Sequence, residues 1–182
     1  MLVPLAPDHL PLLRTAELAT DIAFRWRHGG RHPSPEEFYA TAWSDVLCSF
    51  LIFRSEDPAP HGIVSAYHAD FQNGHCRVAA TRLGTERRSA TTTVRGLFML
   101  FDYLFKGWAF RKLYLEIPEF NLDQFVSAEV RLFDREGTLV EYCYYDDKYW
   151  DLVFLALARK RWVEERQRYA RFIGIESAVG EA

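Results

Sequence analysis

The sequence predicts an α+β fold, a mixed and mostly antiparallel sheet flanked by helices, and three observations carry that reading. Apolar strand-like runs cover Cys48–Phe53, Gly62–Phe71 and His75–Leu83, and the last two are joined by Asn73-Gly74, a pair that closes hairpins. From Thr91 the apolar residues Val94, Leu97, Phe98, Phe101, Leu104 and Phe105 recur at helical spacing. Alternation then returns at Lys112–Ile117, and two long runs, Thr138–Tyr145 and Tyr149–Ala158, flank Asp146-Asp147 as a final hairpin.

The elements follow in order. Leu2–Leu5 reads as a short strand. Asp8 is placed to cap a helix running to about Thr20, with Leu10, Leu13 and Ala16 on its apolar side. Residues 24–35 contain Gly29-Gly30, Pro33 and Pro35, and must be irregular. Ser34-Pro35-Glu36-Glu37 is a helix start: a capping hydroxyl, proline in the first turn, then acids against the helix dipole. That helix should reach about Trp43. Gly107 ends the apolar helix. Asn121 should begin another, reaching about Phe133, and Arg159–Phe172 closes the chain as a helix. No repeat or low-complexity linker divides residues 1–182, so one domain is expected, with 160–182 as C-terminal helix and tail.

Composition narrows the function. The 182 residues are 49% hydrophobic and 26% charged, with a net charge of −3. That balance suits a globular protein and argues against nucleic-acid binding by bulk charge. Cys48, Cys76 and Cys143 are widely spaced, so neither a disulfide framework nor a zinc site is indicated, and a cytoplasmic location is expected. The first residues lack a basic segment followed by a long apolar one, and Leu97–Phe105 is too short for a bilayer. No membrane partner is expected. His28, His32, His61, His68 and His75 show no metal-ligand spacing, so no metal is expected.

From about Thr81 to Trp162 the order of motifs resembles the GNAT family of N-acetyltransferases, in its RimJ/RimL-like branch. A helix ending Tyr103-Leu104-Phe105 is followed by the strand Phe110–Ile117, by Asn121, by Leu132–Leu139 and by Tyr149–Val153, and Arg159–Trp162 closes the match. The resemblance implies the GNAT fold, in which two parallel strands splay and the pantetheine arm of an acyl-CoA fills the gap as a pseudo-strand. The splayed pair would be the strand ending near Leu83 and Lys112–Ile117. Acetyl-CoA, or another acyl-CoA, would be the donor and a primary amine the acceptor, either a peptide N-terminus or a small amine.

The resemblance places the phosphate loop at Glu86–Thr91, where Ser89 and Thr91 replace the family's small glycines. Arg87 and Arg88 supply charge, Ser89, Ala90, Thr91 and Thr92 supply backbone N–H groups, and Asn121 contacts the donor. The family's usual base and acid positions hold neither group: His75–Leu83 contains no acid, and Ala128 stands where a tyrosine is common. Glu116 and His75 are the candidate catalytic residues in their place, although Glu116 also reads as a solvent-facing acid and His75 as a surface residue beside a turn. Trp26, Arg27 and His28, with His68 and Asp70 sharing one strand face, are the candidate substrate contacts, suited to an anionic or carrier-bound partner. Two further readings stay open. One is a catalytically degenerate acyl-CoA or acyl-carrier-protein binding module with the same fold; the other, compatible with either, is a homodimer, which the aromatic final hairpin suits.

Overall fold

The computed structural model describes residues 1–55, 57–83, 87–124 and 132–170, without the side chains of Asp21, Arg87, Arg88, Ser89, Asp123 and Gln124. Its elements are β1 (Leu2–Pro4), a 3₁₀ turn (Pro7–His9), α1 (Leu10–Glu17), α2 (Thr20–Ala23) and α3 (Pro35–Thr41). Then come β2 (Val46–Ile52), β3 (Gly62–Asp70), β4 (His75–Arg82), α4 (Arg87–Gly107) and β5 (Lys112–Pro118). A 3₁₀ segment (Glu119–Gln124), β6 (Asp134–Tyr145), β7 (Lys148–Ala158), α5 (Arg159–Glu165) and a 3₁₀ turn (Arg166–Tyr169) complete it. The seven strands form one sheet in the order β1-β2-β3-β4-β5-β7-β6. Every neighbouring pair is antiparallel except β4 and β5.

Local chemistry explains most of these boundaries. Ser34 Oγ accepts from the Glu37 amide at 3.2 Å and Pro35 opens α3, as the sequence predicts. Gly74 takes φ +68° in the β3–β4 turn, which Asp70 secures by accepting from Asn73. Asp146 and Asp147 both lie in the left-handed region (φ 53° and 55°), the geometry of a type I′ turn. Three expectations are corrected. Asp8 makes no cap: α1 begins at Leu10 after a 3₁₀ turn, and His9 Nδ1 accepts from the Ala6 amide at 3.0 Å. The long helix starts at Arg87 rather than Thr91. Asn121 lies inside a 3₁₀ segment, and the rest of the helix expected to Phe133 falls largely outside the described residues.

The main core lies between α4 and one sheet face, where Phe98, Leu100, Phe101 and Leu104 meet Val64, Val78, Leu113 and Leu155. A smaller cluster of Leu10, Leu13, Phe38, Ala42, Leu51 and Ile63 seats α1 and α3 on part of the other face. Arg159 holds the end of α4, donating to the carbonyls of Phe105, Trp108 and Phe110. Asp102 of α4 accepts from Arg166, which fastens the C-terminal segment to that helix.

Gly96 sets how closely α4 approaches the sheet. A Cβ there would lie 2.3 Å from Ile52 Cδ1 and 2.7 Å from Cγ1, and Ile52 is itself buried. Gly96→Ala should therefore destabilise the fold by about 1–2 kcal/mol, the overpacking cost exceeding the helix-propensity gain. Adding Ile52→Val, which removes Cδ1, should restore part of that loss in a denaturant titration. A cycle with no coupling would refute the contact.

Candidate functional site

β4 and β5 pair over only three positions, His75↔Lys112, Cys76↔Leu113 and Arg77↔Tyr114. Both strands continue beyond them, and each keeps its outer partner. β4 pairs with β3 out to Arg82↔Gly62, and β5 with β7 out to Pro118↔Leu152. The inner edges of Val78–Arg82 and Leu115–Pro118 therefore face a gap with no strand between them. Unpaired backbone N–H and C=O groups in such a gap are ready to bond an extended amide-bearing ligand. The gap holds a cavity of about 110 Å³, walled by Val78–Arg82 and Leu115–Pro118 and covered by Ile22, Arg25, Trp26 and Asn121.

The irregular segment after α2 forms that cover because Arg25 reaches across the chain. Its guanidinium donates to Phe120 O at 3.2 Å and Asn121 Oδ1 at 3.0 Å, while Asn121 Nδ2 returns a bond to Arg25 O at 3.1 Å. Arg25 also lies over the rings of Phe120 and Tyr145. A second cavity of about 480 Å³ opens beneath the same segment, on the sheet face left uncovered by α1 and α3. The two cavities share Arg25, Trp26, Ala79, Glu116 and Pro118. A donor in the gap and an acceptor in the larger cavity would meet there.

Glu116 stands at that junction, with Oε1 accepting from Arg77 Nε at 2.6 Å across the strand pair. Tyr67 faces the same pair, and burial, then the Glu116 charge, raise its hydroxyl above the ordinary tyrosine range. His75 lies at the paired end of β4, edge-on to Tyr114 and 3.7 Å from Asp70, and lines neither cavity. His68 does line the larger cavity, but it does not share a face with Asp70. A bulge between Tyr67 and Asp70 puts His68 at φ 47° and turns its ring to Asp45 Oδ2 (2.5 Å), leaving Asp70 on the turn. Trp26, Arg27 and His28 all line the larger cavity. Of the phosphate-loop residues, the side chains of Arg87, Arg88 and Ser89 lie outside the described ones, while Ala90, Thr91 and Thr92 are in the first turns of α4.

The sequence reading missed Glu17. It is fully buried, with Oε2 accepting from Arg27 Nε at 2.8 Å and bonded to His28 Nε2 at 3.1 Å. Its Oε1 and the indole N–H of Trp26 are buried without a partner among the described residues, and both residues line the larger cavity. The signal was present: Glu17 continues the Leu10, Leu13 spacing of the buried face of α1, where a carboxylate is unexpected. Burial, assisted by Arg27 and Arg31, lowers the His28 pKa below the ordinary value against the pull of Glu17. Burial also pushes the Cys48 and Cys76 thiols up, to about 11 and about 12, which makes them poor nucleophiles. Among the described residues no group of three His, Cys, Asp or Glu side chains could hold a metal ion, and no helix is long and apolar enough to cross a membrane.

No protein-family model and no curated protein sequence matches the chain. Solved structures do match it. Spermidine N-acetyltransferase from Vibrio cholerae, in complex with CoA and spermine, superposes with a TM-score of 0.74 at 16% identity, over 90% of this chain and 97% of that one. Aminoglycoside acetyltransferase AAC(6')-Ib, in complex with coenzyme A and kanamycin, gives 0.68 at 17% identity, over 91% and 98%. A probable acetyltransferase (GNAT family) from Chromobacterium violaceum gives 0.68 at 18%, over 89% and 84%. At these identities the likeness is one of fold: the chain has the GNAT fold that the motif order implied.

Proposed function

We propose that the protein is an acyl-CoA-dependent N-acyltransferase, most simply an acetyltransferase, acting on a primary amine in the cytoplasm. The observation that carries this reading is the strand gap opening into the larger cavity at Glu116. The residues present fit the donor: free backbone edges at Val78–Arg82 and Leu115–Pro118 suit the pantetheine amides, and α4 begins just beyond β4, where its N-terminal N–H groups suit a pyrophosphate. Structural neighbours solved with CoA support the same donor.

In the reaction the amine nitrogen attacks the thioester carbonyl, the new C–N bond forms, and the C–S bond breaks to release the thiol. Glu116, directly or through water, takes the proton that the amine must lose, and that proton can pass to the departing thiolate. Arg25, Trp26 and Asn121 close the cover that holds donor and acceptor in register, and positioning supplies much of the rate.

Calorimetric titration of acetyl-CoA, followed by thiol-release assays with amines, tests this. We expect micromolar binding, weakened roughly tenfold by Asn121→Ala, which removes the tie between cover and gap. Absence of binding by acetyl-CoA and by longer thioesters would refute the donor. Binding with no thiol release for any amine would favour a catalytically silent acyl-CoA or carrier-protein binding module, a reading supported by the engagement of Glu116 with Arg77.

A further inference from the structure

The acceptor cavity carries its own charge signature. Arg25, Arg27 and Arg31 line it, together with Glu17, Glu37 and Glu116. Two of the three acids are committed: Glu17 to Arg27 and His28, and Glu116 to Arg77. Glu37 sits in the first turn of α3, where the helix dipole favours an anion. The guanidinium groups are less satisfied. Arg25 bonds only neutral oxygens, Arg27 spends Nε on Glu17 and keeps its terminal nitrogens, and Arg31 is exposed with no ion-pair partner among the described residues. Arg31 lines the same cavity as Arg27 and the buried His28. The remaining walls include Trp26, Val46, Ile63, Tyr67 and Leu152, which are apolar or aromatic.

A polycation entering here would meet guanidinium groups and find Glu116 and one oxygen of Glu17 already bonded. An anionic group would meet forked donors with free N–H groups. We infer that the acceptor is a primary amine whose body carries an anionic group, a carboxylate or a phosphate, held by Arg31 and the terminal nitrogens of Arg27 while the amine reaches Glu116. This rests on the acyltransferase reading for the role of the amine, but the binding site can be tested without turnover. It also separates this chain from the neighbours solved with spermine and kanamycin, which are polyamines.

The test is calorimetry on the full chain, with and without saturating coenzyme A, using L-phenylalanine, O-phosphoethanolamine, phenethylamine and spermidine. The first two distinguish a carboxylate from a phosphate; phenethylamine lacks any anion. At least one anionic amine should bind about tenfold or more tightly than phenethylamine and spermidine. Arg31→Gln, at an exposed position, should abolish that margin and leave phenethylamine unchanged. Equal or tighter binding of spermidine, no binding by any of these amines, or a margin that survives Arg31→Gln would overturn the inference. A separate acetyl-CoA titration keeps the two ideas apart: its failure with the anionic margin intact would sink the transferase and leave the anion site standing.

Discussion

Glu116→Gln should lower kcat for thiol release by about 100- to 1,000-fold, within the range general-base catalysis provides. The affinity for acetyl-CoA should hardly change. Glutamine keeps the shape of the side chain and an oxygen for Arg77, but it cannot accept the proton of the amine. Glu116 sits where the strand gap and the larger cavity join, partly buried and 2.6 Å from Arg77. Glu116→Asp should recover part of the rate, since the carboxylate returns on a shorter arm. A kcat preserved in Glu116→Gln would remove it from the chemistry. A loss of acetyl-CoA affinity as large as the loss of rate would show instead that the pair with Arg77 shapes the gap.

Trp162→Ala should be the most damaging core substitution, costing about 3–5 kcal/mol and lowering Tm accordingly. Trp162 is 1% exposed and joins the C-terminal segment to α4 through rings of Phe98, Phe101 and Tyr169, with centroids 5.7–6.3 Å away. Truncation would leave a void that three aromatic neighbours cannot all close. Trp162→Phe should cost far less, because it keeps a ring in the stack and removes an indole N–H that is buried without a partner among the described residues. Equal losses in the two variants would mean that packing at this position is not what ties α5 to the core.

Much of the sheet was legible because its signals are local. Alternation at Lys112–Ile117, the Asn73-Gly74 turn and the Ser34-Pro35 helix start each depend on a few adjacent residues. The splay was legible only through the resemblance, since nothing in Val78–Arg82 says that its inner neighbour departs. Two features of the site were hidden for physical reasons. The bulge that turns His68 to Asp45 depends on a partner 23 residues away, and Tyr67-His68-Ala69 carries no glycine to announce a positive φ. The cover over the gap depends on Arg25 meeting Asn121, 96 residues further on. Glu17 is readable, as a carboxylate in an apolar helical row whose leucines dominate the pattern.

The two margins of the sheet are unequal. On one side β1 offers three residues, one of them Pro4 with no N–H to give. On the other, β6 runs for 12 residues with Leu139, Val140, Tyr142 and Tyr144 exposed, broken by a register shift where Glu141 takes φ 51°. In the language of polymerisation, the chain has one reactive end and one terminated end. Head-to-tail addition, strand to strand, would have to use β1, whose short edge and Pro4 disfavour growth into a fibre. A like-to-like contact through the open margin would close on itself at two copies.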